Sequence, residues 1–254
     1  MRQVLLLAHR SVVRTLRQPA MVVPSLAFPL LLLSINSSGL ESATRLPGFP
    51  TDSYFRFALA IPFVQGALFA ANSAGTNMAS DIESGFLNRL SLTPLRRVAL
   101  MMGQLTGIVA LGLIQALTFV AVGLVFGAGI EAGPGGVVVL VALSLMISLA
   151  FGCIGAFVAL RSGNGESVQG VFPLFFAALF LSSMAMPRNL IENDWFQTIA
   201  NWNPVSYMLE GIRSLVIEGW DGEALALGFA CAGGIALIAL VAASSALRTR
   251  MVRT

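Results

Sequence analysis

The sequence contains no lysine, and this absence excludes a large class of activity. All fifteen of its basic residues are arginine. The nucleotide-binding phosphate loop, G-x-x-x-x-G-K-[ST], needs a lysine to reach the phosphates of the nucleotide. The chain therefore has no such loop. If ATP hydrolysis drives anything that this protein moves, the ATPase site must belong to a separate chain.

Other residues that carry chemistry are also scarce. The chain has one histidine, His9, and two cysteines, Cys153 and Cys231, both inside apolar stretches. We expect buried thiols with neither a disulfide nor a metal role. No group of His, Cys, Asp or Glu has the spacing of metal ligands, so we expect no catalytic residue, cofactor or metal in this chain. No acid lies deep in an apolar stretch, which weakens the case for a proton-coupled carrier.

Charged residues make up only 11% of the chain and hydrophobic residues 56%, whereas about a quarter of a soluble domain is charged. A bilayer core about 30 Å thick needs roughly 20 apolar residues per helical span. Six uncharged blocks reach that length. We predict an all-α membrane protein, with residues 1–254 as a single transmembrane domain. Its six spans are predicted at residues 18–40, 57–80, 98–127, 136–160, 167–187 and 224–247.

The arginines are distributed unevenly between the predicted loops. If both termini are cytoplasmic, the outer side holds only Arg45, Arg56, Arg188 and Arg213, together with nine of the twelve acids. The other eleven arginines lie on the inner side. This asymmetry follows the positive-inside rule and predicts a multi-pass membrane protein with both termini cytoplasmic. It also explains the basic character without a nucleic-acid partner.

The N-terminal segment, residues 1–18, has the pattern of an amphipathic helix. Its apolar face is formed by Leu5, Ala8, Val12 and Leu16. Its basic face carries Arg10, Arg14 and Arg17. This pattern predicts an interfacial helix, held in the inner headgroup layer by apolar burial and by anionic membrane lipid. The alternative is an ordinary basic flank that only sets the topology.

Residues 80–97 form the longest charged interruption between the first spans. Ser80 and Glu83 have the S-x-x-E spacing of a capping box, which predicts that a helix starts there. Ile82, Phe86 and Leu90 recur every fourth residue. We predict a short amphipathic helix on the cytoplasmic side, which serves either as a connector or as a surface for another protein.

Residues 188–223 are too polar to span but rich in tryptophan and tyrosine, which prefer the membrane interface. We predict a re-entrant helical segment at the outer leaflet, before the last span. Asn203-Pro204 is a good helix start, with asparagine as the cap and proline at the first position. Glu210 and Arg213, three residues apart, are predicted to pair.

Three further patterns carry structural expectations. Gly103 and Gly107 have the G-x-x-x-G spacing that lets helices approach closely. Residues 161–166 contain two glycines and predict a tight turn. The polar span residues either line a path or form hydrogen bonds between helices, and the second explanation is the more common one. These residues are Gln65, Asn72, Gln104 and Gln115.

Two segments resemble those of type-2 ABC transporter permeases, most closely the drug-resistance branch typified by daunorubicin exporters. The inner segment carries the resemblance through Asp81, Gly85, Arg89, Thr93-Pro94-Leu95-Arg96-Arg97 and Gly103. The outer segment carries it through Asn203-Pro204-Val205-Ser206-Tyr207, Glu210, Arg213 and Gly219. The motifs lie on opposite sides of the predicted membrane, and the resemblance covers essentially the whole chain.

The resemblance implies a permease subunit for a hydrophobic or amphipathic substrate such as a drug, an antibiotic or a lipid. Its implied partners are a second permease chain, identical or homologous, and two ATP-binding subunits that hold ATP and Mg²⁺. The implied ATPase-coupling surface is Asp81, Glu83, Phe86, Asn88, Arg89, Arg96 and Arg97. The implied outer cap of the path includes Asn203, Pro204, Tyr207, Glu210 and Arg213.

Two alternatives stay open at this point. The nearer one keeps the family and changes the cargo to a polysaccharide or a lipid-linked glycan. The farther one is a membrane enzyme or secondary carrier that acts without an ATPase.

Overall fold

The computed structural model describes residues 2–86, 89 and 97–252, and the secondary structure in this part of the chain is entirely helical. The α-helices are α1 Arg2–Leu16, α2 Pro19–Gly39, α3 Tyr54–Ala58, α4 Ala60–Glu83, α5 Arg97–Val125, α6 Gly133–Ser162, α7 Gly165–Phe180, α8 Asp194–Trp202, α9 Pro204–Arg213 and α10 Gly222–Val252. Short 3₁₀ turns follow α2 and precede α8, and a π-helical turn, Ser214–Glu218, follows α9. The prediction of an all-α protein is confirmed.

Five helical stretches in the described part of the chain are long and apolar enough to cross a membrane. They contain α2, α4, α5, α6 and α10, and they match five of the six predicted spans. The remaining predicted span, residues 167–187, is helical only to Phe180, and α7 has 16 residues. Sixteen residues of α-helix measure about 24 Å, less than the hydrocarbon core. Length alone therefore supports five spans.

Helix α4 is the centre of the bundle, since 16 of its 24 residues are buried. It crosses α6 at two glycines, Gly75 and Gly155. A side chain at Gly155 would overlap the carbonyl oxygen of Ala71, and one at Gly75 would overlap Val168 of α7. The absence of side chains at this crossing lets the two backbones pack directly against each other.

The predicted G-x-x-x-G surface of α5 is covered by α1. A Cβ atom on Gly103 would lie 2.9 Å from the Cβ of Leu7, and one on Gly107 would lie 3.2 Å from the Cβ of Ser11. The two glycines therefore accommodate the N-terminal helix of the same chain. Leu6 and Leu16 remain 65% and 57% exposed, and the interfacial position of α1 stays a prediction.

The predicted capping box at Ser80 and Glu83 is wrong. Both residues belong to the last turn of α4, where the Ser84 N–H donates to the Ser80 carbonyl at 3.0 Å. The helix continues past Ser80 because Met78 and Ala79 are buried and extend its apolar face. It ends at Gly85, whose φ of +68° is a conformation that glycine adopts readily.

The tight crossing of α4 and α6 gives a stability prediction. Gly155→Ala places a methyl group on the Ala71 carbonyl, and overpacking of this kind costs about 1–3 kcal/mol. We expect a thermal unfolding midpoint several degrees lower for the purified variant in detergent. Gly233→Ala in α10 is the matched control, because nothing lies within 4 Å of its added Cβ. Equal midpoints for the two variants would refute the tight crossing.

Candidate functional site

The C-terminal end of α4, predicted to face the cytoplasm, carries an acidic residue bound by two arginines of α1. Asp81 Oδ1 accepts hydrogen bonds from Arg10 Nη2 at 2.9 Å and from Arg14 Nη1 at 2.8 Å. The Arg10 guanidinium also lies 3.9 Å from the centre of the Phe86 ring. Two hydrogen bonds between charged groups and one cation–π contact therefore join the N-terminal helix to the end of α4.

This contact is less exposed than an ordinary surface ion pair. The Asp81 side chain is 16% exposed, and those of Arg14 and Arg10 are 23% and 42% exposed. Partial burial reduces screening by water and salt. Two arginines share one carboxylate, so the cluster retains one positive charge. The basic face of α1 is thus directed partly at the protein itself and not only at lipid headgroups.

The last turn of α4 also binds the turn between α6 and α7. Glu83 Oε1 accepts a hydrogen bond from the Gly165 N–H at 3.1 Å. Gly165 is the first residue of α7, where a carboxylate interacts favourably with the free N–H groups of a helix N-terminus. The preceding Gly163 has φ +87°, and the predicted tight turn at residues 161–166 is confirmed. Asp81 and Glu83 together connect α1, α4 and α7.

The other predicted inner residues have different environments. Arg89 is exposed, and its Nη2 donates to the Ser84 carbonyl at 3.3 Å. Arg17 is exposed just after α1. Arg97 begins α5, but its side chain, together with Asn88 and Arg96, lies outside the described residues. Within the described part of the predicted coupling surface, Arg89 is the arginine that faces solvent.

On the outer side, Asn203 connects two helix ends. Its side-chain oxygen accepts from the Val205 N–H at 2.9 Å, which confirms the predicted cap of α9, with Pro204 at the first position. Its amide nitrogen donates to the carbonyls of Ala178 and Leu181 at 2.6 and 3.0 Å. One side chain therefore satisfies a free N–H at the start of α9 and free carbonyls at the end of α7.

Arg213 donates hydrogen bonds to backbone carbonyls of the segment that follows α7. Its Nη1 and Nη2 each donate at 2.6 Å, to the carbonyls of Ser183 and Met184. Its Nε donates to the Phe57 carbonyl at 3.1 Å, and its guanidinium lies 3.6 Å from the centre of the Phe57 ring. The side chain is almost completely buried. A buried guanidinium is stable here because its three nitrogens each donate to a carbonyl and one of its faces lies over the Phe57 ring.

Two further hydrogen bonds complete this arrangement. Ser206 Oγ accepts from the Ser183 N–H at 3.0 Å, and Tyr54 Oη donates to the Ala185 carbonyl at 2.8 Å. Helix α7 can end at Phe180 because side chains from α3 and α9 bind the backbone groups that follow it. These hydrogen bonds replace those that the same backbone groups would form within a helix. Non-helical backbone at membrane depth is tolerated only where protein or water satisfies it in this way.

The predicted pairing of Glu210 with Arg213 is wrong. Glu210 forms its ion pair with Arg188, whose guanidinium also lies 4.4 Å from the centre of the Tyr207 ring. Arg213 donates its hydrogen bonds to backbone carbonyl groups instead. Tyr207 Oη donates to the Asn201 carbonyl at 2.8 Å. The ion pair of Glu210 with Arg188 was not predicted, because Arg188 lies 22 residues from Glu210 along the chain.

The predicted polar span residues do not behave alike. Gln104 Nε2 donates to the Ala74 carbonyl at 2.9 Å, the hydrogen bond between helices that was expected. Gln65 and Gln115 are buried, and their amide groups find no partner within residues 2–86, 89 and 97–252. Over the same residues no group of three or more His, Cys, Asp or Glu side chains could hold a metal ion.

The helical bundle, the apolar spans and the satisfied break after α7 define a multi-pass membrane protein. Comparison with protein families gives the more specific result. The family model for the ABC-2 type transporter matches residues 2–217. The chain belongs to this family.

Individual relatives include drug-resistance permeases. A daunorubicin resistance ABC transporter permease protein from Streptomyces coeruleorubidus is 28% identical over 65% of this chain and 59% of its own length. A probable doxorubicin resistance ABC transporter permease protein from Mycobacterium tuberculosis is 23% identical over 85% of this chain and 78% of its own length. The chain thus matches less than two thirds of the length of the first of these relatives.

The contact between α1 and α4 predicts the effect of Asp81→Asn. Loss of the carboxylate charge weakens two hydrogen bonds and should cost about 1 kcal/mol. We expect backbone amides of α1 to exchange hydrogen about fivefold faster, because α1 opens locally more often. Asp52→Asn is the matched control, since Asp52 is exposed in the outer loop. Unchanged exchange in Asp81→Asn would show that the contact does not hold α1.

The contacts of Arg213 predict the effect of its replacement. Arg213→Met leaves buried carbonyls without donors and should destabilise the fold by about 3 kcal/mol. Arg213→Lys should not restore stability, because an ammonium group cannot reproduce the fork geometry. Thermal unfolding in detergent measures both effects, with Arg45→Ala as the control at an exposed outer arginine. A lysine variant as stable as the native chain would disprove the requirement for the guanidinium.

Proposed function

We propose that this chain is the permease subunit of an ATP-driven exporter. It pairs with a second permease chain, identical or homologous, to form the membrane path. Two separate ATP-binding subunits hold ATP and Mg²⁺ and supply the energy. Membership of the ABC-2 type transporter family supports this proposal. The absence of lysine, and therefore of a phosphate loop, agrees with an ATPase located on another chain.

The observation that carries the proposal is the double contact at the end of α4. Asp81 binds α1, and Glu83 binds the start of α7. A force applied to the segment after Glu83 reaches α4 directly and reaches α1 and α7 through these carboxylates. Because α4 is the buried centre of the bundle, its displacement changes the packing of the surrounding helices. Such a contact is suited to couple nucleotide binding in a partner to a rearrangement of the spans.

The proposed docking surface comprises the segment that follows α4, up to the start of α5. Among the arginines of this segment, Arg89 has a described side chain, which is exposed. Arg89 is the proposed contact with an acidic site on the ATP-binding subunit. Phe86 has an anchoring role within the chain, because its ring contacts Arg10. Asn88, Arg96 and Arg97 remain proposed contacts on the same segment.

The proposed topology has six spans, both termini in the cytoplasm and the bacterial inner membrane as the location. The fifth crossing consists of α7 and the non-helical residues 181–187. Asn203 and Arg213 support this topology, because their hydrogen bonds allow the chain to leave the helix without unsatisfied carbonyls.

The proposed cargo is hydrophobic or amphipathic: a drug, an antibiotic or a lipid. The names of two relatives, which refer to daunorubicin and doxorubicin resistance, support this class. A polysaccharide or lipid-linked glycan exporter of the same family is the second candidate. An enzyme or carrier that acts without an ATPase is the least supported reading.

The decisive experiment is co-purification. The tagged chain is expressed together with an ATP-binding subunit encoded beside it, and the complex is purified and assayed for substrate-stimulated ATP hydrolysis. We expect Arg89→Glu to reduce the recovered ATPase subunit by about fivefold, because charge reversal at an interface repels the partner. Arg248→Glu is the matched control, an exposed arginine at the cytoplasmic end of α10.

Two outcomes would count against the proposal. If no ATP-binding protein accompanies the native chain, the exporter assignment fails. If the two variants recover equal amounts of ATPase, the exporter assignment stands and the docking role of Arg89 fails.

A further inference from the structure

The buried apolar residues in the described part of the chain form two separate clusters. The larger cluster is the main core, and it includes Leu33 of α2, Phe119 of α5 and Ala232 of α10. The smaller one, which we call the inner cluster, lies at the predicted cytoplasmic ends of five helices. Its buried members are Met78 and Ala79 of α4, Met101 of α5, Ala159 and Leu160 of α6, Val168 of α7, and Ala243 and Leu247 of α10.

The two clusters are separated at the crossing of α4 and α6. On α4, Gly75 lies between Ala71 of the main core and Met78 of the inner cluster. On α6, Gly155 lies between Phe151 of the main core and Ala159 of the inner cluster. At these glycines the two helices meet without a side chain of either residue between them. A change of crossing angle therefore requires less repacking here than inside either cluster.

The turn between α6 and α7 is bound by polar groups of two other helices. Glu83 of α4 accepts a hydrogen bond from the Gly165 N–H at 3.1 Å. Arg250, in the last turn of α10, donates from Nη1 to the Leu160 carbonyl at 2.9 Å. Its guanidinium lies so close to the turn that a Cβ atom on Gly163 would be 2.6 Å from Nη2. The ends of α4 and α10 are thus both attached to this turn.

The charges of these two groups match the helix ends that they contact. Glu83 lies at the N-terminus of α7, where a negative charge is favourable, and Arg250 lies at the C-terminus of α6, where a positive charge is favourable. In the sequence, Arg250 is one of the eleven inner arginines that predict the topology. The structure gives this arginine a specific partner as well.

We propose that Arg250 is a positioning residue for the coupling of this chain to its ATPase. It holds α10 to the turn between α6 and α7, so that the inner cluster moves as one body about the crossing of Gly75 and Gly155. The inference rests on the proposed function, in which an ATP-binding subunit displaces the segment after Glu83. Glu83 carries this displacement from α4 to the turn, and Arg250 carries it from the turn to α10.

The test measures distances between spin labels by double electron–electron resonance in the complex with the ATP-binding subunit. Cys153 and Cys231 are replaced by alanine, and a label on Asp52→Cys in the outer loop serves as the reference. The second label is placed on Arg161→Cys at the end of α6 or on Thr249→Cys in the last turn of α10, and all three label positions are exposed. Dilution with unlabelled chain restricts the measured distances to pairs within one chain.

ATP and vanadate, which trap the ATP-binding subunits in one state, should shift both distances when Arg250 is intact. In Arg250→Ala, the shift at Arg161→Cys should persist, and the shift at Thr249→Cys should fall about twofold. The second shift is not abolished, because α10 keeps its apolar packing in the inner cluster. Arg250→Lys should restore the shift, since an ammonium group also binds the carbonyls at a helix C-terminus.

Arg248→Ala is the matched control, because Arg248 is an exposed arginine in the same part of α10. It should leave both shifts unchanged. Equal shifts at Thr249→Cys in the native background and in Arg250→Ala would overturn the positioning role. A similar reduction in Arg248→Ala, or loss of the Arg161→Cys shift in Arg250→Ala, would overturn it too, because the effect would then not be specific to the attachment of α10.

Failure of this inference is distinguishable from failure of the exporter assignment. If the ATP-binding subunit co-purifies and Arg250→Ala leaves both shifts unchanged, the positioning role is wrong and the exporter assignment stands. If no ATP-binding subunit accompanies the native chain, the exporter assignment is wrong and the coupling role falls with it.

The attachment itself is then tested on the isolated chain. Amides in the last turn of α10 should exchange hydrogen about fivefold faster in Arg250→Ala than in Arg248→Ala, because one hydrogen bond that resists local opening is lost. Equal exchange would show that Arg250 does not hold α10.

Discussion

Backbone carbonyl groups inside a membrane must be satisfied, and the contacts around the end of α7 meet that requirement. Helix α7 ends after 16 residues, so the following carbonyls lose their helical partners. Asn203 donates to the carbonyls of Ala178 and Leu181, and Arg213 donates to those of Ser183, Met184 and Phe57. Without these donors the segment would have to return to a helix or move into water. The position of α9 and the burial of Arg213 follow from these hydrogen bonds.

The two sides of the protein use charge in opposite ways. On the predicted cytoplasmic side, arginines outnumber acids, and Asp81 and Glu83 both hold helices together. On the predicted outer side, acids outnumber arginines, and Arg213 and Arg188 are bound by carbonyls and by Glu210. On both predicted sides, several residues of the less common charge therefore stabilise contacts within the chain.

The sequence predicted the apolar spans well, because hydropathy is a local property of about 20 residues. The α9 cap at Asn203 and the turn at Gly163 were also predicted correctly, since both depend on neighbouring residues. The predictions that were wrong or missing concern contacts between residues far apart in the sequence. The break at Phe180 lies in an apolar stretch and depends on Arg213, which sits on another helix. The ion pair of Glu210 with Arg188 and the contacts of Asp81 with α1 likewise join residues far apart in the chain.

The seating of α1 on Gly103 and Gly107 has a mechanical consequence. Leu7 and Ser11 pack against α5. Arg10 and Arg14 form ion pairs with Asp81 at the end of α4. A helix of 15 residues is about 22 Å long and stiff on this scale. Helix α1 therefore connects α4 and α5 as one rigid element. Any sliding of α4 relative to α5 must either turn α1 relative to both helices or break one of its two attachments.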